Sequence, residues 1–155
     1  SSGYSEASVF WIDEPTGIYC KARPDWVHEN DDEGDTLIDL KSTADESASS
    51  FGRTAARMGY HKQAAHYVAG YEAATGRKVK DFVFAAVTNV QPVLAVPYYL
   101  IDEITEQGRD EVRELLDQFA ACRDMGRWPA HTGMQPLSFP AYATRSNEIE
   151  VSYVE

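Results

Sequence analysis

Asp39 and Lys41 are the residues of this sequence whose types and spacing could most readily do chemistry. They flank Leu40 in the short, mostly apolar segment 36–41, which predicts a strand. Residues two apart in a strand point the same way, so the carboxylate and the ammonium share a face, while Ile38 and Leu40 point oppositely into the core. Such a pair suits phosphodiester hydrolysis: the carboxylate holds a divalent cation, and the lysine stands beside the attacking water or the developing negative charge.

Asp25 is the best candidate for the second carboxylate that a metal site needs. It follows Arg23-Pro24 at the end of the preceding predicted strand, where the proline ends regular pairing and a side chain can be re-aimed. We assign the backbone carbonyl of Leu40 as a further ligand. Such hard oxygen ligands favour Mg²⁺, with Mn²⁺ as a substitute. Lys21 and Arg23 lie four and two residues before Asp25, so in a strand they point to the same side and could contact backbone phosphates near the metal.

The Asp39-Leu40-Lys41 triplet alone is weak evidence for a catalytic site, because most such charge pairs lie on the surface and contribute little to stability. Gln63 and Tyr67 add to it, since they lie four apart on the helix predicted after the triplet and share a face. This pair is a recurring companion of such nuclease chemistry; its alternative interpretation is a tyrosine packed on the sheet beside a solvent-facing glutamine. Glu6, in the first predicted strand, is an accessory acid that orders a metal-bound water or the lysine, or else an exposed glutamate.

Hydrophobic patterning places these residues in a mixed α/β domain of the order β-β-β-α-β-β-α, a mixed sheet flanked by helices. The first two strands predict a hairpin, and the first helical segment has a break at Met58-Gly59 and an end at Gly76. We expect a core over 1–126 and an extended tail over 127–155 that packs on the core or on a neighbouring subunit. The predicted elements are strands over 4–12, 18–26 and 36–41, a helix over 51–75, strands over 81–88 and 93–100, and a helix over 102–125.

Composition and charge narrow the class of protein. The chain has 14 Lys and Arg against 25 Asp and Glu, a formal net charge of −11, which argues against broad adhesion to phosphates but not against a local DNA channel. It has neither an apolar run that could span a bilayer nor a basic-then-apolar leader, so we expect a cytoplasmic protein without membrane contact. Cys20 and Cys122 are expected to be reduced structural thiols, with a single disulfide as the alternative.

Several motifs occur in one order from about Glu6 to Ala143. This ordered set resembles the RecE-type (exonuclease VIII) nucleases of phages and prophages. The matching runs are Ser8-Val9-Phe10-Trp11 with Asp13 and Thr16-Gly17, Cys20, Arg23-Pro24-Asp25, Asp39-Leu40-Lys41-Ser42-Thr43, Tyr60-His61-x-Gln63-x-Ala65-x-Tyr67, Gly70-Tyr71-Glu72-Ala73, Trp128-Pro129-Ala130 and Leu137-Ser138-x-Pro140.

The resemblance implies the PD-(D/E)xK fold, a restriction-endonuclease-like core. It also implies Mg²⁺-dependent digestion of double-stranded DNA from the 5′ end, leaving a 3′ single-stranded tail for recombination by strand annealing. It implies a ring-shaped homo-oligomer on DNA ends that works with a RecT-like single-strand annealing protein. By motif, Asp25 and Asp39 match the metal-binding acids, Lys41 the catalytic lysine, and Gln63 and Tyr67 the accessory pair.

One part of the family pattern has no match in the sequence. The resemblance implies a helix before the first strand that carries a histidine near the metal, whereas this chain opens at the first predicted strand, and none of its four histidines occupies that position. A fragment, a separate or cleaved piece, and impaired activity are the interpretations left open. Two other functions also remain: a structure-specific endonuclease of the same fold, and a non-catalytic DNA-end-binding or assembly module. The four histidines are His28, His61, His66 and His131.

Overall fold

A computed structural model describes residues 2–130 and 133–138. Seven strands and three helices make up this part of the chain. They are β1 (Ser2–Ser5), β2 (Val9–Asp13), β3 (Ile18–Ala22), β4 (Trp26–Glu29), β5 (Asp35–Thr43), α1 (Ala48–Met58), α2 (Tyr60–Thr75), β6 (Val79–Thr88), β7 (Ala95–Tyr99) and α3 (Asp102–Met125).

The strands form a mixed five-stranded sheet and a separate hairpin. The sheet has the order β1-β4-β5-β6-β7, and the hairpin consists of β2 and β3. Within the sheet, β5 and β6 run parallel and the other neighbours run antiparallel. A parallel pair needs a long crossover, which α1 and α2 provide. The mixed α/β architecture predicted from the sequence is therefore confirmed.

The crossover helices bury one face of the five-stranded sheet. Phe51 of α1 and Ala64 of α2 pack with Phe84 of β6, and each of the three side chains is at most 4% exposed. Nearer the hairpin, Tyr71 of α2 packs on Leu37 of β5 and a neighbouring strand. The core thus lies between the helices and the alternate residues of β5 and β6 that point toward them.

The first two predicted strands are each two strands. The segment over 4–12 is interrupted at Glu6, which has a φ of 53° and donates its N–H to the Asp25 carbonyl. The segment over 18–26 is interrupted at Arg23-Pro24, because proline has no N–H to offer a ladder. The hairpin was correctly predicted, but it is formed by β2 and β3 alone. Glu6 consequently lies between two strands and not within one.

The prediction that Ile38 and Leu40 point into the core is wrong. Leu40 is 60% exposed, whereas Leu37 and Asp39, on the other face of β5, are 0% and 4% exposed. The two faces differ because α1 and α2 cover only the face that carries Asp39. Among the described residues, no helix packs on the Leu40 face, where Trp26 and Tyr99 are also exposed.

The helices agree closely with the sequence patterns. Gly59 and Gly76 adopt the left-handed conformation that ends α1 and α2, as their positions predicted. In the described part of the chain, no helix is long and apolar enough to cross a membrane. Cys20 and Cys122 are buried free thiols, so the disulfide alternative is wrong. Residues 127–130 and 133–138 form neither helix nor strand, and the rest of the predicted tail lies outside the described residues.

Candidate active site

Asp39 lies at the centre of β5 on the face that the helices cover. It is 4% exposed, and its register partner on the neighbouring parallel strand is Phe84. The strand needs no polar residue there, since Leu37 fills the equivalent position one step earlier. A carboxylate buried at such a position requires compensating partners. The neighbouring side chains provide only some of them.

Lys41 shares the face of Asp39, as strand parity predicted. Its ammonium nitrogen lies 2.6 Å from Asp39 Oδ2 and donates a hydrogen bond of 2.8 Å to Gln63 Oε1. The same ammonium stands over the ring of Tyr60, 4.5 Å from its centroid, and 5.9 Å from the centroid of Phe84. The lysine is therefore held at a fixed place beside the acid by charge, amide and aromatic contacts.

Gln63 joins the acid to the lysine from above the sheet. Its side-chain nitrogen donates to Asp39 Oδ1 at 2.6 Å, while its oxygen accepts from Lys41. One amide thus contacts both charged groups in the orientation that each requires. Because α2 begins at Tyr60, Gln63 falls on its first turn and faces β5. The alternative of a solvent-facing glutamine is wrong.

Asp25 lies immediately before β4, and its side chain reaches β5 beside Asp39. The last β4–β5 pair joins Trp26 to Ile38, so the N–H of Leu40 extends beyond the ladder. Asp25 Oδ2 accepts that N–H at 2.7 Å. The carboxylate occupies the place that a further strand residue would take, directly beside the Asp39-Leu40 peptide. Its other oxygen is left for a ligand.

The atoms present fit a hard divalent cation. Among the described residues, nothing donates a hydrogen bond to the buried Asp39 Oδ2, whose contact with the Lys41 ammonium is an ion pair. Within residues 2–130 and 133–138, no three His, Cys, Asp or Glu side chains cluster as a metal site. Mg²⁺ commonly takes only one or two protein carboxylates and completes its shell with water and substrate oxygens. Asp25 and Asp39 would supply these carboxylates, and they and the Leu40 carbonyl stay predictions as ligands.

Tyr67 lies one turn after Gln63 but packs differently from its sequence partner. Its ring makes an edge contact with Phe82 at 6.2 Å and packs on the cluster that includes Leu37 and Tyr71. In the described structure Tyr67 makes no hydrogen bond to Asp39 or Lys41. Its packing matches the alternative interpretation, and its accessory role stays a prediction.

The remaining sequence candidates lie around the site and not in it. Glu6 is tied through its backbone to Asp25, while Lys21 and Arg23 are exposed on and just after β3. Their predicted roles are untested by this geometry. Among the described histidines, none contacts Asp25, Asp39 or Lys41. His61 pairs with Glu111, His66 packs against Trp11, His28 lies on β4, and His131 is outside the described residues.

Sequence reasoning missed the aromatic side of the site. Tyr60 could have been found, because it lies three residues before Gln63 and such residues share a helix face. Phe84 could not, since its place beside Asp39 depends on the register of two parallel strands. Both rings shield the lysine from bulk water.

Comparison with known proteins agrees with this fold. Residues 1–136 match the family model described as a PDDEXK-like domain of unknown function. Among solved structures, the chain is similar to a candidate exonuclease from Eubacterium rectale, with 16% identity and a TM-score of 0.60, over 88% of this chain and 55% of that one. A second structure, SSO0001, gives 12% identity and a TM-score of 0.41, over 73% and 50% of the two chains.

These likenesses differ in what they establish. At 16% identity the structural match shows the shared fold, and the chain spans about half the length of that neighbour. A search of curated proteins gives no match. The family model, in contrast, covers most of the chain and includes Asp25, Asp39 and Lys41. The chain therefore belongs to the PDDEXK-like domain family, with the mixed α/β core of PD-(D/E)xK nucleases.

Proposed function

We propose that this chain is the core of a Mg²⁺-dependent exonuclease that degrades double-stranded DNA from the 5′ end. The observation that carries this proposal is the buried Asp39, whose Oδ2 has no hydrogen-bond partner and stands beside the ammonium of Lys41. A carboxylate left partly unsatisfied in a protein interior is costly unless a ligand completes it. The adjacent Asp25 carboxylate makes a cation the natural ligand.

The side chains divide the work of phosphodiester hydrolysis. Asp25 and Asp39 would hold a divalent cation, which when bound would supply positive charge for the phosphate and make a nearby water more acidic. Lys41 offers its ammonium to the negative charge that develops on the phosphate as water attacks. Gln63 holds Lys41 and Asp39 in a fixed relative orientation, so that little reorganisation is needed during the reaction.

The substrate and partners form the finer part of the proposal. The ordered motifs of the sequence support double-stranded DNA ends as substrate and a 3′ single-stranded tail as product. They also support a ring-shaped homo-oligomer and a RecT-like single-strand annealing protein as partner, in recombination. The net charge of −11 requires that DNA contact be local. Mn²⁺ should substitute for Mg²⁺, since both favour oxygen ligands.

Linear duplex DNA labelled at either the 5′ or the 3′ end tests the proposal. With Mg²⁺, wild-type protein should release the 5′ label as short products early and leave the 3′-labelled strand long. EDTA should stop the reaction. Loss of the 3′ label first would contradict the polarity, and absence of product under all metal conditions would contradict the nuclease assignment.

A covalently closed circular duplex separates the two enzymatic alternatives. An exonuclease has no end to enter, so the circle should stay closed under conditions that digest the linear form. Opening of the circle would instead identify an endonuclease of the same fold. If the protein forms no product, and calorimetry near neutral pH detects no Mg²⁺ binding, the results would support the non-catalytic DNA-end-binding module.

A further inference from the structure

The β2–β3 hairpin has one face packed on the protein and one face open. Trp11 points inward and packs against His66 with the rings tilted at 51° and their centroids 4.7 Å apart. It also lies against Gly70 of α2, where a Cβ would stand 2.3 Å from the ring. Arg113 of α3 anchors the hairpin further through a bidentate pair with Asp13. These contacts fix the hairpin on the core, so its outward residues stand on a rigid support.

Three large apolar side chains occupy the outward positions of this hairpin. Phe10, Ile12 and Tyr19 are 65%, 50% and 85% exposed. Phe10 is the register partner of Lys21, and Ile12 is the partner of Tyr19, so the four side chains lie side by side on one face. The Lys21 ammonium is 5.4 Å from the centroid of the Phe10 ring. We call these four residues together with Arg23 the hairpin strip.

The charge of the hairpin strip is opposite to that of the chain. The protein has 25 acidic residues, yet none lies at the five positions of the strip. Lys41, Lys62 and Arg77 are held by carboxylates. Lys21 and Arg23 form no ion pair with any residue in the described ranges. Two cations thus remain available to an anionic ligand, directly beside exposed aromatic rings.

The strip leads toward the candidate active site. Arg23 is two residues before Asp25, whose carboxylate contacts β5 beside Asp39. From Arg23 to Tyr19 the strand extends about 14 Å at its usual rise per residue. A flexible polyanion on the strip would therefore have one end near Asp25. This inference rests on the proposed function, because it takes that site to be the place of DNA cleavage.

We propose that the hairpin strip binds single-stranded DNA next to the cleavage site. Bases stack on the rings of Phe10 and Tyr19, and Lys21 and Arg23 contact the phosphates. Alternation of aromatic faces with cations is the usual chemistry for single strands, because each unpaired base exposes a π-face. A duplex keeps its bases stacked inside and offers the rings nothing to stack on. A purely apolar partner would leave both cations without a counter-charge.

Anisotropy of a fluorescent oligothymidylate tests this proposal, with EDTA present so that no hydrolysis occurs. Stacking contributes about 1–3 kcal/mol per base, so the double variant Phe10→Ala/Tyr19→Ala should weaken binding by on the order of 30-fold or more. Phe10→Trp/Tyr19→Trp should retain binding. In Lys21→Gln/Arg23→Gln, the slope of the logarithm of the binding constant against the logarithm of salt concentration should become shallower. The change should be about 0.7 for each phosphate that the protein no longer neutralises. The matched control is Tyr99→Ala, which removes an aromatic ring that is 75% exposed on β7.

Unchanged affinity of the double alanine variant, or an equal loss in Tyr99→Ala, would overturn the proposal. So would an altered sedimentation state of the double alanine variant with unaltered DNA affinity, which would make the strip an interface between copies of the chain. Thermal melting checks that each variant is folded. Hydrolysis is assayed separately with Mg²⁺. Binding through the strip without any cleavage would refute the proposed function and keep the strip, whereas cleavage without strip binding would refute only this inference.

Discussion

Two buried acids lie four residues apart on the same face of β5, and they are treated in opposite ways. Asp35 receives two hydrogen bonds from the Arg77 guanidinium, at 2.6 and 2.7 Å, one from the Tyr71 hydroxyl and one from the Asn30 N–H. In the described part of the chain, Asp39 has only Gln63 as a hydrogen-bond donor, with a single ammonium beside its other oxygen. Both oxygens of Asp35 accept hydrogen bonds, whereas in the described structure only one oxygen of Asp39 does.

The difference indicates that Asp35 stabilises the fold, and it supports the proposal that Asp39 binds a ligand. The Arg77 guanidinium holds the pKa of Asp35 well below its usual range, because its planar donors match both oxygens. Burial and the hydrogen bonds to Tyr4 and Asp35 raise the pKa of the Tyr71 hydroxyl, so it stays a donor. No ligand can enter such a closed cluster without breaking it. At Asp39, in contrast, a cation could add to an oxygen that lacks a hydrogen-bond partner.

Replacing Lys41 with Ala should have the largest effect, on catalysis. Loss of one charge-stabilising group costs about 10²–10³-fold in rate, or about 3–4 kcal/mol of barrier. Initial rates on end-labelled linear duplex measure this change. Because Lys41→Ala also removes the ammonium beside the buried Asp39, the rates are compared at a temperature where thermal melting shows that the variant is folded. Lys78→Ala is the matched control, since Lys78 is exposed and forms no ion pair in the described part of the chain.

Replacing Arg77 with Ala should have the next largest effect, on stability and not on chemistry. It leaves the Asp35 carboxylate buried without its main counter-charge, which costs about 3 kcal/mol of unfolding free energy. Urea denaturation measures this loss, and the exposed Arg57→Ala provides the control. Below its own melting transition, the Arg77→Ala protein should cleave DNA at nearly the wild-type rate. A stable but inactive variant would mean that the two clusters are coupled.

The smallest expected effect is the change with pH in the stability difference between wild type and Arg77→Ala. Because the folded pKa of Asp35 lies below its ordinary value of 3.8, its stabilising contribution is complete above that value and is lost as the pH falls through the folded pKa. Arg77→Ala lacks the main cause of the shift. The difference in unfolding free energy between wild type and Arg77→Ala should therefore be smaller by about 1 kcal/mol at pH 3 than at pH 7. Urea titrations at both pH values measure this difference. A gap that widens with acid would contradict the account.

Local patterns predicted the helices and the shared face of Asp39 and Lys41 on β5. The bounds of α2 and α3, the break at Gly59 and the shared face of Asp39 and Lys41 all depend on residues close in sequence. These features follow from helical period, glycine stops and strand parity. Gln63 was found for the same reason, since its spacing from Tyr67 marks one helix face.

Properties that depend on tertiary packing were beyond sequence reasoning. Which face of β5 is buried depends on where α1 and α2 pack, so Leu40 was wrongly placed in the core. The break of the first strand at Glu6 depends on its hydrogen bond to Asp25, nineteen residues later in the chain. Asp35 received no role from the sequence, because its partner Arg77 is joined to it only by folding.

The most direct test of the central claim compares Asp39→Asn with Asp35→Asn in metal-dependent hydrolysis of linear duplex DNA. Both changes remove one negative charge from the same strand face and keep the side-chain shape. At a temperature where both variants are folded, Asp39→Asn should lose hydrolysis by on the order of 10²-fold or more, as expected for a metal ligand. Asp35→Asn should stay near the wild-type rate while melting at a lower temperature. Equal hydrolysis by wild type and Asp39→Asn would contradict the account.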